Sequence, residues 1–178
     1  MDITDIILEQ HNEQRRLFGF LQEVDPGDIE SLKPIWARLR GLLDVHAEAE
    51  ERFFYPRLLK EGKGASDADS AADETRDAIE DHNEIRDSAT EAESHDVGSD
   101  GWFDAVCKAD LANSKHMAEE ERQGLADFRR HSSVEERHQL GIQFLAFVSQ
   151  HLTGVKPVDK NPDRYVKEHQ RQPQPAEG

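Results

Sequence analysis

Glu9-Gln10-His11-Asn12-Glu13-Gln14-Arg15 returns 71 residues later as Glu80-Asp81-His82-Asn83-Glu84-Ile85-Arg86. His46-Ala47-Glu48-Ala49-Glu50-Glu51-Arg52 returns 70 residues later as His116-Met117-Ala118-Glu119-Glu120-Glu121-Arg122. Each half of the chain thus holds one segment with a single histidine and a second with His-x-x-x-Glu. Residues four apart share a face of an α-helix, one turn above the other. His46 and Glu50 therefore project together, in phase with Leu39, Leu43 and Phe53. His116 and Glu120 continue a stripe of Ala105, Ala109 and Ala112, small side chains that leave room on that face. His11 is in phase with Ile7 and Phe18, and His82 with Thr75, Ala78 and Ile85. Two such helical hairpins can pack about a pseudo-twofold axis, so that matched residues meet at the centre.

Apolar positions around these motifs keep the helical period. A first segment, residues 4–24, stops at Asp25-Pro26-Gly27, because proline cannot continue the hydrogen-bond ladder and glycine takes positive φ cheaply. A second, residues 28–60, carries Ile35, Leu39, Leu42, Leu43, Phe53, Phe54 and Leu58, with Pro56 kinking or loosening its end. Gly62, Gly64, Ser66 and Ser70 mark a loop. The third segment, residues 71–94, has only Ile79 and Ile85 as large apolar residues, and residues 96–101 close it. The fourth, residues 102–130, turns Phe103, Val106, Ala109 and Ala112 inward. A fifth starts at Ser133, with Glu136 completing a capping-box pattern, and carries the densest apolar run, residues 140–152. Lys156-Pro157, Asn161-Pro162 and Gln172-Pro173-Gln174-Pro175 then read as an extended or disordered tail. No stretch alternates with period two for long enough to be a strand. The expected fold is all-α: an antiparallel up-down four-helix bundle with an additional C-terminal helix over residues 1–152, and a tail over 153–178.

Composition narrows the function classes. Among 178 residues, 22 Lys and Arg face 38 Asp and Glu, a net charge of −16 that repels phosphate backbones and argues against nucleic acid as a partner. Hydrophobic residues make up 35% and mean hydropathy is −0.84, and no run approaches the roughly 18 apolar residues that would cross a bilayer. The opening Met1-Asp2-Ile3-Thr4-Asp5 carries no basic region of the kind a secretory signal shows, so a cytoplasmic protein with no membrane partner is expected. One cysteine, Cys107, excludes an internal disulfide framework and any thiolate-clustered metal site.

Four histidines and two glutamates thus point into one apolar interior. A single helical histidine is more often a packed or exposed residue than a ligand. Duplication explains a repeat, but it does not explain why these polar residues stayed in phase with the core. A buried carboxylate without a partner costs several kcal/mol or neutralises. Two divalent metals would satisfy all six groups at once, and imidazole plus carboxylate with open positions suits non-haem iron. Ligand type biases the choice of metal without excluding manganese or zinc.

At these residues the sequence resembles the hemerythrin-like family of di-iron four-helix bundles, over about residues 2–128. The resemblance implies two iron ions, oxo- or hydroxo-bridged, with His11, His46, Glu50, His82, His116 and Glu120 as ligands and Glu50 and Glu120 bridging. It implies a small diatomic or peroxide ligand, since family members carry dioxygen, sense iron or oxygen, handle nitric oxide, repair iron centres or break down peroxide. Oxygen carriers in the family have a fifth histidine where this chain has Arg86, and take their last carboxylate where it has Glu121. Glu120 is preferred here because the repeat pairs it with Glu50, while Glu121 pairs with Glu51. Without the fifth histidine both irons would accept an outside ligand. The expected activity is therefore redox chemistry on a small oxidant, foremost catalase-like breakdown of hydrogen peroxide. The alternative is binding or sensing of dioxygen, nitric oxide or iron without turnover.

Other positions carry open readings. Tyr55 either supplies a ligand or a hydrogen bond, or packs as a helix-end aromatic. Arg15 and Arg86 pair either with the bridging carboxylates or with Glu13 and Glu84. His95, His131, His138 and His169 are expected in solvent, His151 to pack at a helix end, and Cys107 to be a small core residue. The fifth helix either shields the metal pocket or simply packs on the bundle.

Overall fold

The computed structural model describes residues 2–65 and 70–170. Among these the chain is helical throughout, with α1 (Ile3–Glu23), α2 (Ile29–Ala49), a π-helical segment (Glu50–Phe54), α3 (Tyr55–Glu61), α4 (Ala71–Glu93), α5 (Asp100–Arg122), α6 (Gly124–His131), α7 (Val134–Gln150) and α8 (Pro162–Gln170). Helix starts follow capping chemistry. Asp2 and Ser70 close capping boxes with Asp5 and Asp73, while Asp28, Ser99 and Ser133 accept the Ser31, Trp102 and Glu136 amides.

Hairpins α1–α2 and α4–α5 form the bundle; α7 lies on α1 and α2, and α8 on α4 and α3. The turns between hairpin helices touch each other. Gly98 sits at φ +86° with its α-carbon against the Pro26 carbonyl, where a Cβ would meet that oxygen at 2.4 Å, so only glycine fits. The all-α bundle with an added helix is therefore as the periodicity requires.

Apolar side chains gather in two clusters. One, around Leu21, Leu39, Trp36, Trp102 and Ala109, fills the end near the hairpin turns. The other, around Ile7, Phe54, Leu58, Ile79, Phe128 and Phe144, fills the opposite end. Between them α1, α2, α4 and α5 each bring one histidine: His11 follows Ile7, His46 follows Leu43, His82 lies between Ile79 and Ile85, and His116 follows Ala112. The core is thus two apolar blocks with a polar layer between.

Several expectations need correction. Segment two is not one helix with a loose end at Pro56; it passes through the π-helical segment, where the Tyr55 amide bonds to the Glu50 carbonyl, five residues back. Segment four breaks at Gln123 (φ −106°, ψ −82°), and α6 begins at Gly124, whose missing side chain leaves room for Leu58 and Phe54. The tail is not extended throughout: α8 buries Tyr165 and Val166. Asn161 before Pro162 starts it, accepting the Arg164 amide at 2.9 Å. Ser66 of the expected loop and Gln172-Pro173-Gln174-Pro175 lie outside the described residues. Cys107 is exposed rather than in the core, and His131 and His169 are half-buried, capping back onto Asp127 and Tyr165.

Candidate metal centre

All six sequence-selected residues converge in the polar layer and all are buried. His11, His46 and Glu50 present ligand atoms within 4.8 Å of one another, as do Glu50, His82 and His116. Glu50 belongs to both groups because its two oxygens face opposite ways. Oε1 lies 2.9 Å from His46 Nε2 and 4.0 Å from His11 Nε2, and Oε2 lies 3.3 Å from His82 Nε2. Nε2 of His82 and Nε2 of His116 approach to 3.1 Å, so two lone pairs meet unless a proton or a cation stands between them. Glu120 places Oε2 3.3 Å from His11 Nε2. Its Oε1 accepts a hydrogen bond from the Tyr55 hydroxyl at 2.7 Å.

The π-helical turn explains why Tyr55 reaches the site. Five residues at 3.6 per turn would set Tyr55 about 140° away from Glu50 around a regular helix. The i to i+5 bond closes that gap, and Glu50, Glu51, Phe54 and Tyr55 are all buried. Such insertions often mark functional sites. The repeat puts Leu125 where Tyr55 would be, so the hydroxyl serves one half only. Of the readings open for Tyr55, the structure shows the hydrogen bond, donated to Glu120, together with packing in the apolar block.

Outside the layer, each imidazole Nδ1 meets a polar side chain, and the repeat governs which. His11 Nδ1 lies 2.8 Å from Glu121 Oε1, and His82 Nδ1 lies 2.8 Å from Glu51 Oε1. Arg15 donates to the same Glu121 oxygen at 2.7 Å and Arg86 to the same Glu51 oxygen at 2.6 Å. Neither arginine takes the partners expected for it. His46 Nδ1 meets Gln10 Oε1 at 2.8 Å, and His116 Nδ1 stands 3.8 Å from Asp81 Oδ2. Carboxylates and amides on Nδ1 fix the ring tautomer and turn Nε2 inward, as metal-binding histidines require. Gln10, Asp81 and Glu51 were not picked out in the sequence, and Glu121, weighed there against Glu120 as a ligand, lies on His11 Nδ1. Their signal was there: each occupies the same place in both copies of the repeat.

The donor set fits a cation. His11 Nε2, His46 Nε2, both Glu50 oxygens and Glu120 Oε2 are buried without a hydrogen-bond partner, the 2.9 Å approach of His46 to Glu50 being poorly aligned. Unpaired buried polar atoms are rare in folded proteins, and here they are clustered and aimed at one another. Protons carry the balance when no metal is present. Burial pushes His11 down, but the nearby Glu120 carboxylate, the hydrogen bond to Glu121 and the charge of Glu50 outweigh it and raise it to about 9. Burial is likewise outweighed at His82 by Glu50 and Glu51, and it too stands at about 9. For His46, burial prevails over Glu50 and lowers it. Burial alone would raise Glu50, yet His46 and His82 hold it well below the usual carboxylate range.

Little space adjoins the layer. A cavity of about 20 Å³ against Tyr55, His116 and Glu120 holds one water-sized molecule, and another of about 10 Å³ touches His46, His82 and His116. A wider opening, about 620 Å³ between α8 and the π-helical segment, borders Glu51 from outside and reaches none of the inward donors. Phe144 of α7 stands over His46, ring centroids 6.5 Å apart, so α7 contributes to the closure.

A four-helix bundle with a buried His/Glu layer between two apolar blocks defines a metal-binding helical protein. Residues 2–141 match the family model of the hemerythrin HHE cation-binding domain, and the chain belongs to that family. Comparisons with curated proteins and with solved structures returned no match. Among the described residues, no helix is long and apolar enough to cross a membrane.

Proposed function

We propose that the layer holds two iron ions and that the protein breaks down hydrogen peroxide. His11 and His46 would bind one ion, His82 and His116 the other, with Glu50 and Glu120 between them. The observation that carries this reading is the Glu50 carboxylate, whose oxygens face the histidines of both halves. Bound there, an iron pair would supply the redox change, passing between ferrous and ferric states as two H2O2 become two H2O and one O2. The protein's own part is positioning and exclusion. Glu51 and Glu121 hold two imidazoles in the tautomer that turns Nε2 inward. Tyr55 fixes Glu120 and holds its proton at the hydroxyl, because burial and the charges of Glu120 and Glu50 push it well above the ordinary phenol value. The two small cavities leave room beside the layer for no more than a water-sized molecule, so a larger substrate is kept out. Arg86, where oxygen carriers have a further histidine, is engaged with Glu51 and leaves the two halves with two histidines each.

A second reading, iron or gas binding without turnover, draws support from α4. Its buried face holds only Ile79 and Ile85 as large apolar residues beside Glu74, Asp81, His82 and Arg86, so bound metal would stabilise it strongly. Oxygen-electrode assays of the full chain, loaded with ferrous iron under anaerobic conditions and given H2O2, separate the two. Rapid O2 evolution, lost in His116→Ala and Glu120→Ala, is expected. An iron-loaded wild type that evolves no O2 overturns the peroxide reading.

A further inference from the structure

The repeat makes the two halves of the metal layer equivalent in sequence, but the fold does not keep them so. Glu51 and Glu121 are repeat partners, each between a histidine Nδ1 and an arginine. Their surroundings differ. The Glu121 side chain is 29% exposed and its Arg15 partner 41% exposed. The Glu51 side chain is fully buried and Arg86 is 5% exposed. The difference comes from residues 159–170, beyond the part that matches the family. There Lys160 Nζ pairs with Glu51 Oε2 and lies 2.8 Å from Glu48 Oε2. Burial of Glu51 is thereby outweighed by His82, Arg86 and Lys160, which bring its carboxyl down to about 2.

Lys160 is itself held in place. Its amide donates to Asn83 Oδ1 at 3.0 Å and its carbonyl accepts from Asn83 Nδ2 at 2.8 Å, a two-point clasp by the residue after His82. The Tyr165 hydroxyl donates to the Glu51 carbonyl, anchoring α8 on the same residue. In the first half the corresponding asparagine, Asn12, is exposed and receives only a long contact from Arg15. With Oε2 taken by Lys160, Glu51 cannot swing its other oxygen away from His82 Nδ1.

We propose that Lys160 is a positioning residue for the His82/His116 half: acting through Glu51, it locks His82 toward its metal and makes this position release its ion more slowly than the His11/His46 position. This rests on the metal reading above. Loss of an outer-shell partner weakens a metal site by about 10- to 100-fold.

The test is ferrous release from the full chain. Protein loaded anaerobically with Fe2+ is mixed with excess bipyridine chelator, and the coloured complex is followed in wild type, Lys160→Met and Lys160→Arg. The wild type should release iron in two phases of equal amplitude. Lys160→Met should speed the slow phase by about tenfold and leave the fast phase unchanged, and Lys160→Arg should restore it. In 57Fe-loaded samples, Mössbauer spectra should show two quadrupole doublets, only one of which shifts in Lys160→Met. A purely structural role would speed both phases together and lower the melting temperature in proportion. That result, or single-phase release from the wild type, overturns the proposal. Two ions bound with kinetics unchanged in Lys160→Met sinks this inference alone, whereas a wild type that takes up no metal removes the metal reading and this inference with it.

Discussion

Replacing Tyr55 by phenylalanine isolates one hydrogen bond at the centre. The hydroxyl is buried, and it donates to a carboxylate oxygen at 2.7 Å. The phenyl ring would keep its contacts with Phe54 and His82, at centroid distances of 5.2 and 5.8 Å, so no cavity adds to the loss. Hydrogen bonds to charged groups contribute about 1.5–3 kcal/mol, and an abandoned buried acceptor costs a similar amount. The metal-free variant should therefore lose about 2 kcal/mol. For a domain of this size that is a fall in Tm of about 4–8 °C. With metal bound, a cation meets the Glu120 charge directly, and the loss should drop below about 1 kcal/mol. Urea unfolding followed by circular dichroism, with chelator and with anaerobic Fe2+, measures both states. Equal losses in the two states would refute the placement of Glu120 at the metal, and no loss without metal would refute the hydrogen bond itself.

Other outcomes follow from the same geometry. Glu121→Gln and Glu51→Gln should each weaken iron binding by about 10- to 100-fold in competition titrations, because each carboxylate sets the tautomer of a histidine; unchanged affinity in both would remove them from the site. In the metal-free protein His11 and His82 are raised to about 9, so their contribution to stability is complete below pH ~6.5 and fades as pH climbs through about 9. Urea melts of metal-free protein should weaken over that window, and iron uptake at pH 7.5 should release protons, seen as a buffer-dependent binding heat; buffer-independent heat would contradict those protonation states. Gly98→Ala must take a left-handed backbone, costing about 1–2 kcal/mol, and meet the Pro26 carbonyl besides. Its melt should fall well below wild type, with iron stoichiometry unchanged.

The helices and the inward six residues were legible because both depend on local spacing. A histidine four residues from a glutamate lies on its face whatever the rest of the chain does, and the repeat doubled that signal. Glu51 and Glu121 were visible as repeat partners, but a position one residue from a core ligand falls off the stripe in a regular helix, so the spacing did not place them against His82 and His11. The π-helical turn at Glu50–Phe54 is what turns Tyr55 beneath Glu50, and nothing in the composition of EERFF marks it. The clasp of Lys160 by Asn83 was out of reach for a different reason. It joins residues 77 apart across a proline-punctuated segment, where no periodicity relates the partners.

Metal content per chain, measured by elemental analysis on the freshly purified protein and on His46→Ala and His116→Ala, tests the central claim most directly. The account predicts about two irons in the wild type, with loss of one or both in each variant. A wild type that holds no metal and takes up no ferrous iron offered anaerobically would contradict it, and so would a full complement of iron in both variants.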